Sequence, residues 1–358
     1  MASFSSSSSA SPASTTAPAG AEFHWPAGGR PLRWGIIGTA RIATKVAEAI
    51  QHAEGADLVA VASRDKTRAA QWAAEHRIPV KYGSYVELLD DADIDAVYIP
   101  LPPSMHREWT VKAAEKKKHV LCEKPLAMSA AEGEEMWAAC RENGVQLMDG
   151  VMWLHHPRTA AMKAKIGDGT LGTIRKVTSG FSFCWDPFPL DNIRLQHELG
   201  GGSLGDLGWY CVGICLWSLD RQPVRVFGSG RYVQNVDTNF NALMWYGDDC
   251  IASFDCGFDI SHRKWFEIAG TEGSLVCDDF VKPRSLEKIR FWVHQGENEV
   301  TKTISAPLVQ EVCMIEDFCR IVQSGQFNDR WPRIAIETQR VCDALDRSAR
   351  SGKIVELD

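Results

Sequence analysis

The chain has 358 residues, of which 45% are hydrophobic and 24% are charged, and its formal net charge is −7. This length predicts two domains, each large enough to bury its own core. The negative charge argues against a nucleic-acid partner, and no basic block is longer than the three lysines at 116–118. Apolar runs stay well short of the roughly 18 residues that a membrane span needs, so we expect no membrane partner.

The eleven cysteines are scattered along the chain. They form no C-x-x-C pair and no Cys/His cluster at zinc-ligand spacing, so we expect buried thiols in a reducing compartment and no metal site. Residues 1–30 differ in composition, because Ser, Ala, Thr and Pro dominate them. We expect a disordered tail on a cytoplasmic protein. A plastid transit peptide is the alternative, although no Lys or Arg precedes Arg30.

Strand and helix patterns alternate between residues 31 and 150. Short apolar runs predict strands at 32–37, 58–62, 96–99, 119–122 and 146–148. Helical spacing starts at Arg41 and recurs at 67–75, 105–117 and 129–143. Capping boxes at Ser84 with Glu87 and at Ser129 with Glu132 mark two helix starts. This alternation predicts an α/β fold with a doubly wound, parallel Rossmann sheet.

The turn after the first strand suits a dinucleotide. Gly38 can make the tight turn and the small Ala43 lets the helix pack closely, while Ala40 stands where a glycine usually lets the backbone approach a pyrophosphate. The helix N-terminus offers N–H groups and a positive dipole end to the phosphates. A tight turn without a ligand is the alternative. The predicted cofactor contacts in this turn are Gly38, Thr39, Ala40, Arg41 and Ile42.

The end of the second strand selects the cofactor. NAD-binding domains usually carry an acidic residue there, which holds the ribose 2′-hydroxyl. This chain has Ser63 and Arg64 instead, and the nearest acid, Asp65, comes after the arginine. Arginine can clamp a 2′-phosphate, so these residues predict NADP(H) rather than NAD(H), unless Arg64 is only a solvated loop charge.

Two further loops follow predicted strands at the edge where open α/β sheets bind ligands. The segment 100–106 ends in His106, and Glu123-Lys124-Pro125 follows the next strand. The cofactor contacts predicted in these loops are Leu101, Pro102, His106, Glu123 and Lys124. For His106 the alternative is a helix-terminal histidine that binds the backbone.

These motifs resemble the Gfo/Idh/MocA oxidoreductase family. The shared features are the G-I-x-G opening, P-x-x-x-H after a strand, and E-K-P-L-A about 85 residues after the glycine turn. In the second half, Gly200-Gly201-Gly202 followed by Asp206 and Tyr210 is similar to the family's G-G-G-x-[LM]-x-D-x-G-x-[HY] motif. Tyrosine at the last position is typical of the branch that includes dimeric dihydrodiol dehydrogenase, NADP-dependent xylose dehydrogenase and glucose-fructose oxidoreductase, which commonly uses NADP.

The resemblance implies a catalytic role for Lys124, Asp206 and Tyr210. A tyrosine with a pKa near 10 is a poor base at neutral pH, and a neighbouring ammonium lowers that pKa. Tyr210 is therefore expected to be the general acid and base, Lys124 its electrostatic partner, and Asp206 a ligand of the substrate or of Lys124. The resemblance also implies a cis bond before Pro125. The alternatives are a loop lysine, a core tyrosine and a helix-capping aspartate.

Residues 151–358 show strand patterns without the regular helices between them. Strands are predicted at 173–183, 224–233, 239–245, 250–256, 265–269, 273–278 and 289–294, with a helix at 333–349. This pattern predicts an α+β domain with a large, open, mostly antiparallel sheet that binds the substrate. The resemblance implies that a second subunit covers its outer face in a homodimer. Trp153, Trp185 and Arg194 are the candidate substrate contacts.

Together these features predict an NADP(H)-dependent oxidoreductase that acts on a carbonyl or hydroxyl carbon of a sugar, polyol, cyclic dihydrodiol or related small molecule. Two alternatives remain open. One is an NAD-dependent polyol dehydrogenase, and the other is a non-catalytic regulatory protein that keeps the fold and the cofactor.

Overall fold

A computed structural model describes residues 29–283, 285–296 and 299–357. Most of the predicted disordered tail, 1–30, therefore lies outside the described residues. Its last residue, Arg30, binds Asp95 through two hydrogen bonds of 2.6 and 2.8 Å, which tie the start of the described chain to the first sheet. Within these ranges no helix has both the length and the apolar character that a membrane crossing requires.

The first half is a parallel sheet of six strands. Strands β1–β6 are Leu32–Ile37, Ala56–Ala62, Val80–Tyr82, Ala96–Ile99, His119–Cys122 and Leu147–Asp149. Helices α1–α5 are Arg41–His52, Lys66–Glu75, Tyr85–Asp90, His106–Glu115 and Ala130–Glu142. The strand order is β3-β2-β1-β4-β5-β6. The order reverses between β1 and β4, which is the point where doubly wound sheets bind ligands.

Local sequence explains these elements. Strand β1 is buried on both faces because helices cover the sheet on both sides. Helix α1 buries Val46 and Ile50, four residues apart on the face turned to the sheet. Both predicted capping boxes form, since Ser84 Oγ accepts from the N–H of Glu87 and Ser129 Oγ from that of Glu132.

The second half is a nine-stranded sheet. Strands β7–β15 are Ile174–Cys184, Arg225–Val233, Val236–Trp245, Ile251–Gly257, Asp259–Gly270, Gly273–Cys277, Arg290–Gln295, Glu299–Ile304 and Val355–Glu356. Helices α6–α9 are Pro157–Gly167, Trp209–Leu219, Gln310–Ser324 and Arg330–Ser351. The order is β14-β13-β12-β11-β7-β10-β9-β8-β15, antiparallel except between β7 and β10. The predicted fold class is thus confirmed, although the sequence patterns missed α6, α8, β14 and β15.

Helices α7 and α9 cover one face of the large sheet, and α8 and α9 also pack on the first half, against α1 and α5. Along β9 the side chains alternate, so that Ala242 and Met244 are buried while Asn241 and Leu243 are exposed. The exposed set forms the outer face of the sheet. Ten of the eleven cysteines are buried and none forms a disulfide, as expected from their spacing.

Candidate active site

A cavity of about 550 Å³ lies at the carboxyl ends of the parallel strands, where the two halves of the chain meet. From the first half it is lined by Ala40, Arg41, Ile42, Lys45, Leu101, Glu123 and Lys124, among others. From the second half it is lined by Phe181, Phe183, Arg194, Asp206, Tyr210 and Lys282, among others. All three predicted catalytic residues therefore face one cavity.

The glycine turn has the geometry expected of a phosphate-binding turn. Gly38 has a φ of +107°, and a Cβ there would lie 2.9 Å from Leu101 Cδ2, so only glycine fits. Ala40 precedes α1 in an extended conformation and has no side chain that caps the helix. The first N–H groups of α1 are thus left for a ligand in the cavity, which is the donor set that a dinucleotide diphosphate requires.

The residues after β2 arrange a positive charge beside this turn. Arg64 is exposed, and its charge partly offsets the burial that raises the pKa of Tyr85, whose hydroxyl lies near Gly38. The carboxylate of Asp65 caps α2, where it accepts from two backbone N–H groups, and Ser63 Oγ accepts from the N–H of Asp65. The only acid in this stretch is therefore engaged with the helix. Sequence reasoning missed Arg68, whose Nη2 donates to the carbonyl of Thr39 at 3.3 Å.

His106 does not reach the cavity. Its side chain is completely buried, and its two ring nitrogens lie 2.7 Å from the carbonyl of Leu101 and 3.0 Å from that of Pro125. Burial lowers the pKa of His106, while the contacts with the backbone carbonyls act in the opposite direction. His106 therefore fits the alternative to a cofactor contact, which is a histidine that binds the backbone. Its ring contacts both of the loops that line the cavity.

Lys124 and Asp206 join the two halves of the site. Lys124 Nζ donates to Asp206 Oδ1 at 2.6 Å and to the carbonyl of Asp206 at 2.8 Å. Arg194 Nε donates to the other carboxylate oxygen, also at 2.6 Å. Burial alone would raise the pKa of Asp206. The charges of Lys124 and Arg194 have the larger effect and hold the pKa of Asp206 well below its usual range. Asp206 is therefore an ionised ligand of Lys124 rather than a helix cap.

Tyr210 lies next to this pair but in a less polar environment. Lys124 Nζ is 5.1 Å from the centre of the Tyr210 ring, and the Tyr210 hydroxyl is 3.9 Å from Met152 Sδ. Burial, reinforced by the charges of Glu123 and Asp206, raises the pKa of Tyr210 well above its ordinary value. The expected lowering of the Tyr210 pKa by Lys124 is not seen, because burial is the largest influence and the charges of Glu123 and Asp206 act in the same direction. Tyr210 is a neutral phenol here.

A buried carboxylate lies behind Lys124. Glu123 Oε1 accepts from the Tyr98 hydroxyl at 2.6 Å, and Oε2 accepts from the N–H of Lys124 at 3.2 Å. Burial raises the pKa of the neighbouring Asp149 to about 7, and the charge of Glu123 adds to the effect. These contacts fix the backbone from which Lys124 projects. The predicted cis bond between Lys124 and Pro125 is present.

Close contacts within the protein explain why glycines occupy the triplet. A Cβ on Gly201 would lie 2.6 Å from the carbonyl oxygen of Arg194, and one on Gly202 would lie 2.3 Å from Asp237 Oδ1. The triplet lines the cavity, and the atoms that a Cβ at Gly201 or Gly202 would meet belong to the protein itself. The glycines let the loop that carries Arg194 pack against the turn that carries Asp206.

Two predicted substrate contacts lie elsewhere. Trp153 is buried in an aromatic core with Trp217 and Phe280, and Trp185 packs on Phe183 and Phe258. Neither lines the cavity. Among the predicted cofactor contacts, Gly38, Thr39, Ser63, Arg64 and Pro102 do not line it either. Local spacing does not show which way the two tryptophan side chains point.

Sequence reasoning also missed part of the cavity wall. Lys45 follows Arg41 by one helical turn, so the period of α1 could have revealed it. Phe181 and Lys282 come from a strand and an irregular segment, and no motif marks them. Across the described ranges, no group of three or more His, Cys, Asp or Glu side chains has an arrangement that could hold a metal ion.

The fold and this cavity define a dinucleotide-binding enzyme built from a Rossmann half and a second half with a large open sheet. The chain belongs to the Gfo/Idh/MocA oxidoreductase family. The family's NAD-binding Rossmann model matches residues 32–151, and the model of its C-terminal domain matches residues 159–276.

Curated relatives cover nearly the whole chain. The D-xylose 1-dehydrogenase (NADP(+)) 2 of Haloferax volcanii is 35% identical over 336 residues, which span 91% of this chain and 100% of the relative. The trans-1,2-dihydrobenzene-1,2-diol dehydrogenase of Sus scrofa is 33% identical over 282 residues, spanning 77% of this chain and 81% of the relative. The predicted resemblance is thus confirmed.

Solved structures show the same architecture. A 3-ketoreductase from Actinomadura kijaniata, in complex with NADP and TDP-benzene, superposes with a TM-score of 0.82 at 28% identity and covers 89% of this chain and 98% of its own. An aldose-aldose oxidoreductase from Caulobacter crescentus superposes with a TM-score of 0.84 at 25% identity and covers 92% and 100%.

Proposed function

We propose that this protein is an NADP(H)-dependent oxidoreductase that acts on a carbonyl or hydroxyl carbon of a sugar, polyol, cyclic dihydrodiol or related small molecule. The observation that carries the proposal is the contact between Lys124 and Asp206 beside Tyr210, in the cavity that also receives the N-terminus of α1. The relatives named above act on a sugar and on a dihydrodiol, which supports this range of substrates.

The residues around the glycine turn support NADP(H) as the cofactor. A nicotinamide cofactor, when bound, supplies or accepts the hydride. Arg64 offers an exposed guanidinium just after β2, and Asp65 is occupied as a helix cap. A carboxylate free to hold a 2′-hydroxyl is what an NAD-specific site would need. The Haloferax volcanii relative is named for NADP, in agreement with this assignment.

Tyr210 is the proposed proton donor and acceptor. As a neutral phenol it is in the correct state to protonate the oxygen of a carbonyl that is being reduced. Lys124 uses two hydrogen bonds on Asp206, and its ammonium has three donors, so one remains for the substrate oxygen. In oxidation, this positive charge would stabilise the phenolate that accepts the hydroxyl proton.

Asp206 has a positioning role in this proposal. Its two carboxylate oxygens are bound by Lys124 and Arg194, so it holds the ammonium at a fixed distance from the Tyr210 ring. Its charge also limits the net positive charge beside the substrate. Lys124 and Tyr210 therefore face a reacting oxygen from a preorganised arrangement.

A substrate screen tests the proposal. Aldoses, polyols, anhydro-ketoses, diketones and trans-dihydrodiols are assayed for NADP+ reduction and NADPH oxidation, with NAD(H) in parallel. We expect turnover in at least one class, with NADP(H) preferred. Tight NADPH binding without turnover of any class would instead indicate the regulatory alternative, and a preference for NAD+ with polyols would indicate the polyol dehydrogenase.

A further inference from the structure

A short irregular segment between β12 and β13 forms part of the cavity wall. Val281 and Lys282 both line the cavity that contains Lys124 and Tyr210. Lys282 has a φ of +49°, in the left-handed region that residues other than glycine seldom adopt. Such strain persists only where the surroundings determine the backbone fully, and it is concentrated at functional sites.

The backbone of Lys282 is held on both sides by buried polar side chains. Its N–H donates to Gln310 Oε1 at 2.9 Å, and its carbonyl accepts from Lys264 Nζ at 2.6 Å. Lys264 Nζ also donates to the carbonyl of Val281. Gln310 and Lys264 are 3% and 8% exposed, so neither contact is shared with bulk solvent. The strained conformation is therefore imposed by the core.

A third buried side chain fixes the residues just before. Arg158 is 1% exposed, and its guanidinium donates to the carbonyls of Asp279 and Phe280 at 3.1 and 2.8 Å. Burying two cations is costly unless their hydrogen bonds are satisfied. Here most of those bonds go to the backbone of one short segment. The result is a rigid support from which Lys282 projects.

The side chain of Lys282 is less constrained than its backbone. It is partly exposed, and Nζ lies 3.4 Å from Glu311 Oε1, a longer ion pair than the 2.6 Å contacts of Asp206. In the same cavity Lys124 and Arg194 share a single carboxylate, that of Asp206. Over its whole lining, the cavity carries six Lys or Arg side chains and two carboxylates, those of Glu123 and Asp206, so positive charge is in excess.

We propose that Lys282 recognises an anionic group of the substrate, so that the preferred substrates are acidic sugar derivatives carrying a carboxylate or a phosphate. This inference rests on the proposed function, since it concerns the substrate of the same site. The rigid backbone fixes where the ammonium lies. An anion in the cavity can bind it without displacing Glu311, because an ammonium has three donors, and the charge-assisted hydrogen bond needs little reorganisation.

Binding to the enzyme saturated with NADP+ tests the inference. D-glucose, D-glucuronate and D-glucose 6-phosphate are compared at constant ionic strength by isothermal titration calorimetry. We expect at least one anion to bind about tenfold more tightly than glucose, and the two anions distinguish carboxylate from phosphate. Lys282→Met is expected to abolish the difference while NADP+ and glucose affinities stay unchanged. Lys112→Met, at an exposed position on α4, is the matched control.

A second variant covers the case in which Lys282→Met fails to fold. Glu311→Gln removes the neighbouring carboxylate and is expected to tighten anion binding. Equal affinities for all three ligands in the wild type, or an equal loss for all three in Lys282→Met, would overturn the inference while leaving NADP(H)-linked turnover intact. Anion binding that depends on Lys282, without turnover of any substrate, would instead count against the proposed function alone.

Discussion

Lys124 Nζ lies 2.6 Å from Asp206 Oδ1, although the two residues are 82 positions apart and belong to opposite halves of the chain. Lys124 follows a strand of the Rossmann sheet, and Asp206 lies in a π-helical turn, Leu204–Gly208, just before α7. The candidate site therefore exists only where the two halves pack together.

Cofactor preference depends on Arg64. Arg64→Ala is expected to raise the KM for NADPH by about 10- to 100-fold and to spare NADH, because a charge-assisted bond to a 2′-phosphate is lost. Steady-state kinetics with both cofactors measure this. Arg107→Ala removes an exposed arginine paired with Glu135 and serves as the control. Equal losses with NADPH and NADH would contradict the NADP assignment.

The glycine triplet depends on close backbone contact. Gly201→Ala is expected to destabilise the protein by about 1–3 kcal/mol, since its Cβ would overlap the Arg194 carbonyl at 2.6 Å. Gly213→Ala is the matched control, because its Cβ meets nothing within 4 Å and alanine favours α7 by about 0.5–1 kcal/mol. Urea unfolding measures both. Similar midpoints for the two variants would refute this explanation of the triplet.

Because of Asp149, we expect the free energy of unfolding to depend on pH. Its folded pKa, about 7, lies above the unfolded value because of burial, so its protonated form is favoured in the folded state. The stabilisation is complete below about pH 4 and is lost as pH rises through 7. Asp149→Asn removes this titration. Relative to the variant, the wild type should lose free energy of unfolding between pH 5 and pH 8, and a constant difference would show that Asp149 stays ionised.

We expect the protein to form a dimer through the outer face of the large sheet. Leu243 and Ile251 are 38% and 37% exposed on this face. A double substitution, Leu243→Glu with Ile251→Glu, should convert a dimer to a monomer, because it buries charges in an apolar interface. Light scattering after size-exclusion chromatography measures the mass. Val86→Glu, at an exposed site on α3, is the control, and a wild-type monomer would remove the proposal.

Sequence patterns located the first half well because its signals are local. The Ser84 and Ser129 caps and the apolar period of α1 each depend on residues within one helical turn. Lys124 and Asp206 were found through motifs, and both side chains line the cavity as predicted. At these positions the local sequence motif and the place of the residue in the fold agree.

The errors concern side-chain direction and long-range contacts. His106 and Trp153 occupy the expected segments but are buried by residues distant in sequence. Asp206 lies in a π-helical turn just before α7, a local geometry that the motif does not reveal. Lys282 was not detected, because its conformation is imposed by Lys264, Gln310 and their surroundings rather than by a local pattern.

Tyr210 is proposed to transfer the proton in a site that both halves of the chain share. The most direct test is the turnover of Tyr210→Phe on the substrate that the screen identifies, with NADPH binding measured in parallel. We predict that kcat falls by about 10²- to 10⁴-fold while the Kd for NADPH is unchanged. Tyr232→Phe, on β8 outside the cavity lining, should retain full activity. Equal turnover by Tyr210→Phe and the wild type would contradict the account.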